Sequence, residues 1–184
     1  MTLPIAIMCA IWLRLSSRGF ANRWILLLAT GMALVGLTKI LYAGCGFEIP
    51  AVGFRVISGH TTLSTAVWAV ALALLLRSAG GDARLGAVAG LLVGALTAAA
   101  RVFDHAHTVP EVIAGWLLGG AIGTLFVHTL SRSEARLFRP AASAVALLFV
   151  TTVAYGHHAP FQAMIDKYSP GVCARAMASV TAFF

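Results

Sequence analysis

Charge is scarce in this chain. Only 10% of its 184 residues are charged, and acids are the rarer kind, 6 Asp and Glu against 13 Lys and Arg. A soluble domain carries about 25% charged residues, so a water-exposed globular surface is excluded. The 60% apolar content and a mean hydropathy of +0.91 point to an integral membrane protein. The formal charge of +7 does not indicate nucleic-acid binding, because the arginines are dispersed in short loops rather than gathered on one face. Cysteine is also sparse: Cys9, Cys45 and Cys173 show no metal-ligand spacing. No basic stretch precedes the first apolar run and no small-residue cleavage site follows it, so the N-terminus does not read as a cleaved signal. There is no long repeat and no low-complexity segment.

What is present is a series of apolar runs. Leu3 to Leu13 is apolar but short of the ~20 residues a spanning helix needs. It fits a strongly tilted helix, a partly inserted one, or one truncated at its start. A polar stretch, 14–23, follows. Trp24 to Ala43 is a full span with Lys39 in its last turns, where a lysine can also simply snorkel to the interface. Further segments run from Gly59 to Leu76, Leu85 to Ala100, Val112 to Leu130, and from Pro140 to near Tyr155. The expected fold is an all-α membrane bundle of about six segments in one domain, 1–184, with a mixed tail at 156–184.

If the segments alternate in direction, loops 14–23, 77–84 and 131–139 share one side and hold eight arginines against two acids. The positive-inside bias makes that side cytoplasmic. Lys39, the 44–58 loop, the 101–111 stretch and the tail then lie on the outer side. Lys39, Arg55 and Arg101 are placed there against the bias, which favours a functional reason for them. Cys45 and Cys173 fall on the same side, where a periplasmic environment would permit a disulfide. Cys9 reads as a small packing residue.

Two glycine ladders, Gly86-Gly90-Gly94 and Gly115-Gly119-Gly123, have the spacing that lets helix backbones approach closely. Their helices are expected to pack on each other or on a common neighbour.

Chemistry concentrates between 101 and 111, which reads Arg-Val-Phe-Asp-His-Ala-His-Thr-Val-Pro-Glu. Ionisable residues at a membrane edge mark function by default. Ser58-Gly59-His60 lies where a helix begins, and helix-start amides favour an anion. Arg101 adds a fork suited to phosphate oxygens, and Lys39 a point charge. His107 and Glu111 are four apart; a carboxylate that orients an imidazole makes it a better nucleophile or base. His60 can serve as general acid. Together these residues suggest phosphoryl transfer or hydrolysis without a metal. Plainer roles exist: Ser58 or Thr108 as helix caps, Thr108 with Glu111 as a capping box, and Asp104 paired with Arg101. His105 competes with His107. His128 reads as structural, and the adjacent His157-His158 do not make a metal site.

The pattern resembles the type-2 phosphatidic acid phosphatase superfamily of membrane lipid phosphatases. That family's second motif, Pro-Ser-Gly-His, stands here as Ile57-Ser58-Gly59-His60. Its third, Ser-Arg, five residues, His, three residues, Asp, stands as Ala100-Arg101, five residues, His107, three residues, Glu111. The run from Val112 to Gly119 also resembles the family's continuation. The first motif, Lys, six residues, Arg-Pro, keeps Lys39 but has Gly46-Phe47 in place of Arg-Pro.

The resemblance implies a phosphohistidine on His107, Glu111 in place of the usual supporting aspartate, and His60 as the acid for the leaving group. It implies phosphate binding by Lys39, Arg101 and the Ser58-Gly59 region, with no cofactor and no metal. Arg55 can replace the missing arginine, on sidedness alone. The implied activity is hydrolysis of a lipid phosphate or diphosphate at the outer face of a cytoplasmic membrane. Its substrate would be a polyprenyl diphosphate, a phosphatidate, a phosphatidylglycerol phosphate or a phosphorylated glycolipid. The alternatives are a lipid phosphotransferase using the same histidine and a non-catalytic lipid-binding or transport protein.

Overall fold

The computed structural model describes residues 2–133. The expected sixth segment, the tail with His157 and His158, and Cys173 with its pairing to Cys45 lie outside the described residues. Within them the protein is all-helical: α1 Thr2–Ser16, α2 Arg18–Cys45, α3 Gly59–Ser78, α4 Ala83–Phe103 and α5 Val109–Ser131. The last four are long and apolar enough to cross a membrane. α1 has 15 residues, a rise of about 22 Å against a hydrocarbon core of about 30 Å.

The expected polar stretch at 14–23 is instead helical apart from Ser17. Ser17 is extended (φ −162°, ψ 126°) and separates α1 from α2. Aromatic packing accounts for the longer helix. Phe20 and Trp24, one turn apart, both make edge-to-face contacts with Phe126 on α5, at ring separations of 6.5 and 5.6 Å. Only a helical path through 20–24 puts both on one face. The Trp24 indole N–H donates to Ala6 O at 3.0 Å and so ties α1 to α2. On α1 itself, Ile5, Ala6, Cys9, Trp12 and Leu13 form one buried stripe. At its far end α2 stops at Gly46, whose left-handed backbone (φ 65°) returns its N–H to Tyr42 O. Glycine takes that conformation without strain.

α3 is the central helix. Both glycine ladders pack against it, which realises the common-neighbour arrangement. A Cβ on Gly90 would stand 2.3 Å from Ala69 Cα, and one on Gly119 2.4 Å from Thr62 O. α3 answers with small and hydroxylated residues: Thr61, Thr62, Ser64, Thr65, Ala66 and Ala69 are all buried. Their hydroxyls are satisfied locally, as in Thr65 Oγ1 to Thr61 O (2.7 Å), or across helices, as in Ser64 with Thr97 of α4 (2.9 Å). At one end of the bundle the Arg77 guanidinium of α3 donates to Leu130 O of α5 and to Ser133 O. At the other end Ser58 N donates to Glu111 O at 3.1 Å.

That second end carries the longest connection, from Gly46 to Ser58. A single bridge, Ile49 to Phe54, closes it around a one-turn 3-10 helix at Pro50–Val52. Phe47, Ile49 and Val52 are exposed on it.

Candidate active site

Five chain segments converge at this end of the bundle. They are the last turns of α2, the 46–58 connection, the start of α3, the end of α4, and the turn leading into α5. Between them lies a cavity of about 400 Å³ lined by Lys39, Tyr42, Arg55, His60, Arg101, His107 and Glu111, with Ala43, Val56 and Ala106 completing the wall.

The turn after α4 sorts the two histidines. His105 takes a left-handed backbone (φ 53°). The Ala106 and His107 amides fold back onto Arg101 O at 3.1 and 3.3 Å. His105 is thereby turned outward and exposed, while the His107 side chain is only 12% exposed and lines the cavity. The chain then enters α5, with Thr108 as its N-cap.

Glu111 is 1% exposed and accepts from donors on both of its oxygens. Oε2 takes His107 Nδ1 at 2.8 Å and Thr108 N at 3.2 Å. Oε1 takes Arg55 N at 3.1 Å, Val56 N at 3.4 Å, and lies 3.4 Å from Arg55 Nε. Every neighbour is a donor, so the carboxylate acts purely as an acceptor and His107 must carry its proton on Nδ1. Nε2 then holds the ring's lone pair. Glu111 thus contacts the His107 imidazole and at the same time completes the capping box at the start of α5.

Arg55, expected on sidedness alone, is in the cavity wall. Its guanidinium lies over the Tyr42 ring, with Cζ 5.8 Å from the centroid. The Tyr42 hydroxyl first, and the Glu111 carboxylate next, hold Arg55 above the ordinary arginine range. Arg101 Nη1 is 3.7 Å from the exposed Asp104, so that pair exists. Arg101 Nε is nevertheless buried without a hydrogen-bond partner. A buried donor left unmatched costs about 1–3 kcal/mol.

Two expected residues stand elsewhere. Ser58 is fully buried, its hydroxyl paired with Thr61 Oγ1 at 3.0 Å and its amide spent on Glu111 O. Gly59 lies against α2, where a Cβ would be 3.2 Å from Val35 Cγ1. Neither lines the cavity. Tyr42 was not singled out from the sequence, although it stands one helical turn beyond Lys39 on the same face. The Val56 amide and the Thr108 hydroxyl, which donates to Gly53 O at 2.8 Å, were likewise not foreseen. Among the described residues no group of three or more His, Cys, Asp or Glu is placed to hold a metal ion.

The model of the PAP2 superfamily matches residues 40–135, just over half of the chain. A Klebsiella pneumoniae protein described as an uncharacterized 22.5 kDa protein in the cps region is 35% identical over 129 residues. That alignment covers 70% of this chain and 62% of the Klebsiella protein, so the chain spans less than two thirds of its relative. No solved structure matches.

Proposed function

The chain belongs to the PAP2 superfamily of phosphatases, and from that premise we propose that it hydrolyses a lipid phosphate or diphosphate through a phosphohistidine on His107, at the outer face of the membrane. The observation that carries this reading is the 2.8 Å contact of His107 Nδ1 with a buried Glu111, inside a cavity also lined by His60, Lys39, Arg55 and Arg101. The cavity wall carries three cations, Lys39, Arg55 and Arg101, beside one carboxylate, a balance that complements an anion.

In this mechanism Lys39, Arg55 and Arg101 take the phosphate oxygens. The buried, unmatched Nε of Arg101 supports its part, because an anion oxygen would satisfy it. The His107 Nε2 lone pair attacks phosphorus, and the bond from phosphorus to the leaving oxygen breaks. Protonated His60 gives its proton to that oxygen. Glu111 stabilises the imidazolium that forms. Neutral His60 then takes a proton from water as the water oxygen attacks phosphorus. The P–N bond breaks, its electron pair returns to Nε2, and inorganic phosphate leaves. Ser58 and Gly59 serve by shape in this reading: their tight packing sets the first turn of α3 and so the place of His60.

The lipid nature of the substrate is supported by the cavity's position at the end of apolar spans. An acyl or prenyl chain can stay among helices while its headgroup meets His107. The outer location rests on the arginines at the opposite end, Arg14, Arg18, Arg23, Arg77, Arg84 and Arg132.

The test is phosphate release from a panel of lipid phosphates and diphosphates by purified protein in detergent with a chelator present. Release should persist in chelator and fall by about 10³-fold or more in His107→Ala, the range lost when a nucleophile is removed. Turnover that survives His107→Ala would overturn the phosphohistidine.

A further inference from the structure

The second oxygen of Glu111 has no part in the His107 contact, yet it is as heavily engaged as the first. A carboxylate held through one oxygen can still turn about its last bond. Fixing its plane needs directed donors on both oxygens. On the His107 side those are the imidazole and Thr108 N. On the far side the partners all come from one short stretch: the Arg55 and Val56 amides donate, and Arg55 Nε forms an ion pair at 3.4 Å. The only charged partner among them is the Arg55 side chain. That stretch is itself anchored, by Ile57 N on Thr38 Oγ1 at 3.2 Å and Ser58 N on Glu111 O at 3.1 Å. The guanidinium is seated on Tyr42 from α2, and both side chains face the cavity.

We infer that Arg55, seated on Tyr42, is the positioning residue of the His107–Glu111 pair: it locks the carboxylate plane while lining the cavity that receives the phosphate. Substrate charge and support of the nucleophile thus meet on one side chain. The guanidinium is suited to this because its planar fork can direct Nε at one anion and leave other N–H groups for a second. A lysine carries the charge without the fork. In this chain Gly46-Phe47 stand where the resembling family has its first-motif arginine, and Gly46 is committed to ending α2. The kinetic part of the inference rests on the phosphatase reading.

Two readouts test it, on the full chain in detergent, with Arg55→Lys, Arg55→Gln and Tyr42→Leu. The first is kcat and KM for dioleoyl phosphatidate in mixed micelles. The second needs no turnover: the rate at which diethyl pyrocarbonate modifies His107, read by mass spectrometry, with the exposed His128 at the other end of α5 as internal standard. Arg55→Lys should keep KM within about threefold and lower kcat about tenfold or more, the split expected when charge is kept and orientation lost. Modification of His107 should slow about threefold or more, because an unsupported imidazole is a weaker nucleophile, with His128 unchanged. Tyr42→Leu should move both readouts in the same direction, with no change to Arg55 itself. Full recovery of kcat and labelling in Arg55→Lys would overturn the inference, since charge alone would suffice. A raised KM in Arg55→Gln with His107 labelling intact would overturn it too, leaving a plain phosphate ligand. Should the unmodified protein release no phosphate, the phosphatase reading falls, and the labelling rates alone decide: slowed supports positioning, unaltered refutes it.

Discussion

At Glu111 the side chain's length is in use. One oxygen serves His107 and Thr108, the other the 55–56 backbone and Arg55 Nε. Aspartate, shorter by one methylene, cannot span both loops from the same helical position. Glu111→Asp should therefore lower turnover, by about tenfold for a displaced supporting group, and not restore a family norm. Glu111→Gln is harsher. Every contact to the carboxylate is a donor, so the amide NH2 must face another N–H. We expect about 10²-fold loss of turnover and about 1–3 kcal/mol of lost stability for the mismatched buried groups. Steady-state kinetics and thermal unfolding in detergent measure the two. The convergence of Lys39, His60, Arg101 and His107 was legible in the sequence, because motif spacing and alternating spans place them at one end. The far oxygen of Glu111 was not, because its partners lie 55 and 56 residues away in a loop without a pattern. Nor was the turning of the Ser58 hydroxyl to Thr61, since a serine before a helix looks the same whether it caps, packs or binds.

At the scale of elements, the glycine ladders make the sharpest claim. Gly90→Ala would drive a methyl into the α3 backbone at Trp68 and Ala69. Neither wall is a flexible side-chain tip, so the helices must separate, at about 1–3 kcal/mol for overpacking. Gly36→Ala meets nothing within 4 Å and should be neutral or slightly stabilising, by up to about 1 kcal/mol, because alanine is the better helix former. The unfolding midpoint should fall in Gly90→Ala and hold or rise slightly in Gly36→Ala; a fall of equal size in both would remove the packing role of the ladder. The spacing of small residues made this contact readable in advance. The start of α2 was not readable in the same way. Arg18, Ser17 and Asn22 look like loop residues, and the helix runs through 18–23 because Phe20 and Trp24 both reach Phe126, a residue a hundred positions away in sequence.

For the whole molecule, sidedness follows from where the arginines are not wanted. In the proposed orientation those at the end away from the cavity lie on the cytoplasmic side, as the topological bias favours; Arg55 and Arg101 at the cavity end are held by Glu111 and Asp104. Asp104 is 64% exposed at the rim, so Asp104→Cys, with the native cysteines replaced, reports the cavity's side. An impermeant maleimide should label it in intact cells. Labelling only after permeabilisation would place the cavity in the cytoplasm and overturn the outer-face assignment.

Arg77 has a mechanical consequence. Its guanidinium fastens the end of α3 to the end of α5, while Ser58 N fastens the start of α3 to the start of α5. Helices riveted at both ends share an applied load, with α4 clasped to α3 by its glycines. α1 and α2 hold to this block chiefly by side-chain packing. Drawn from a bilayer by its N-terminus, the chain should give way in small steps through α2 and then in one large rupture through α3 to α5. In Arg77→Ala that single force peak should divide in two.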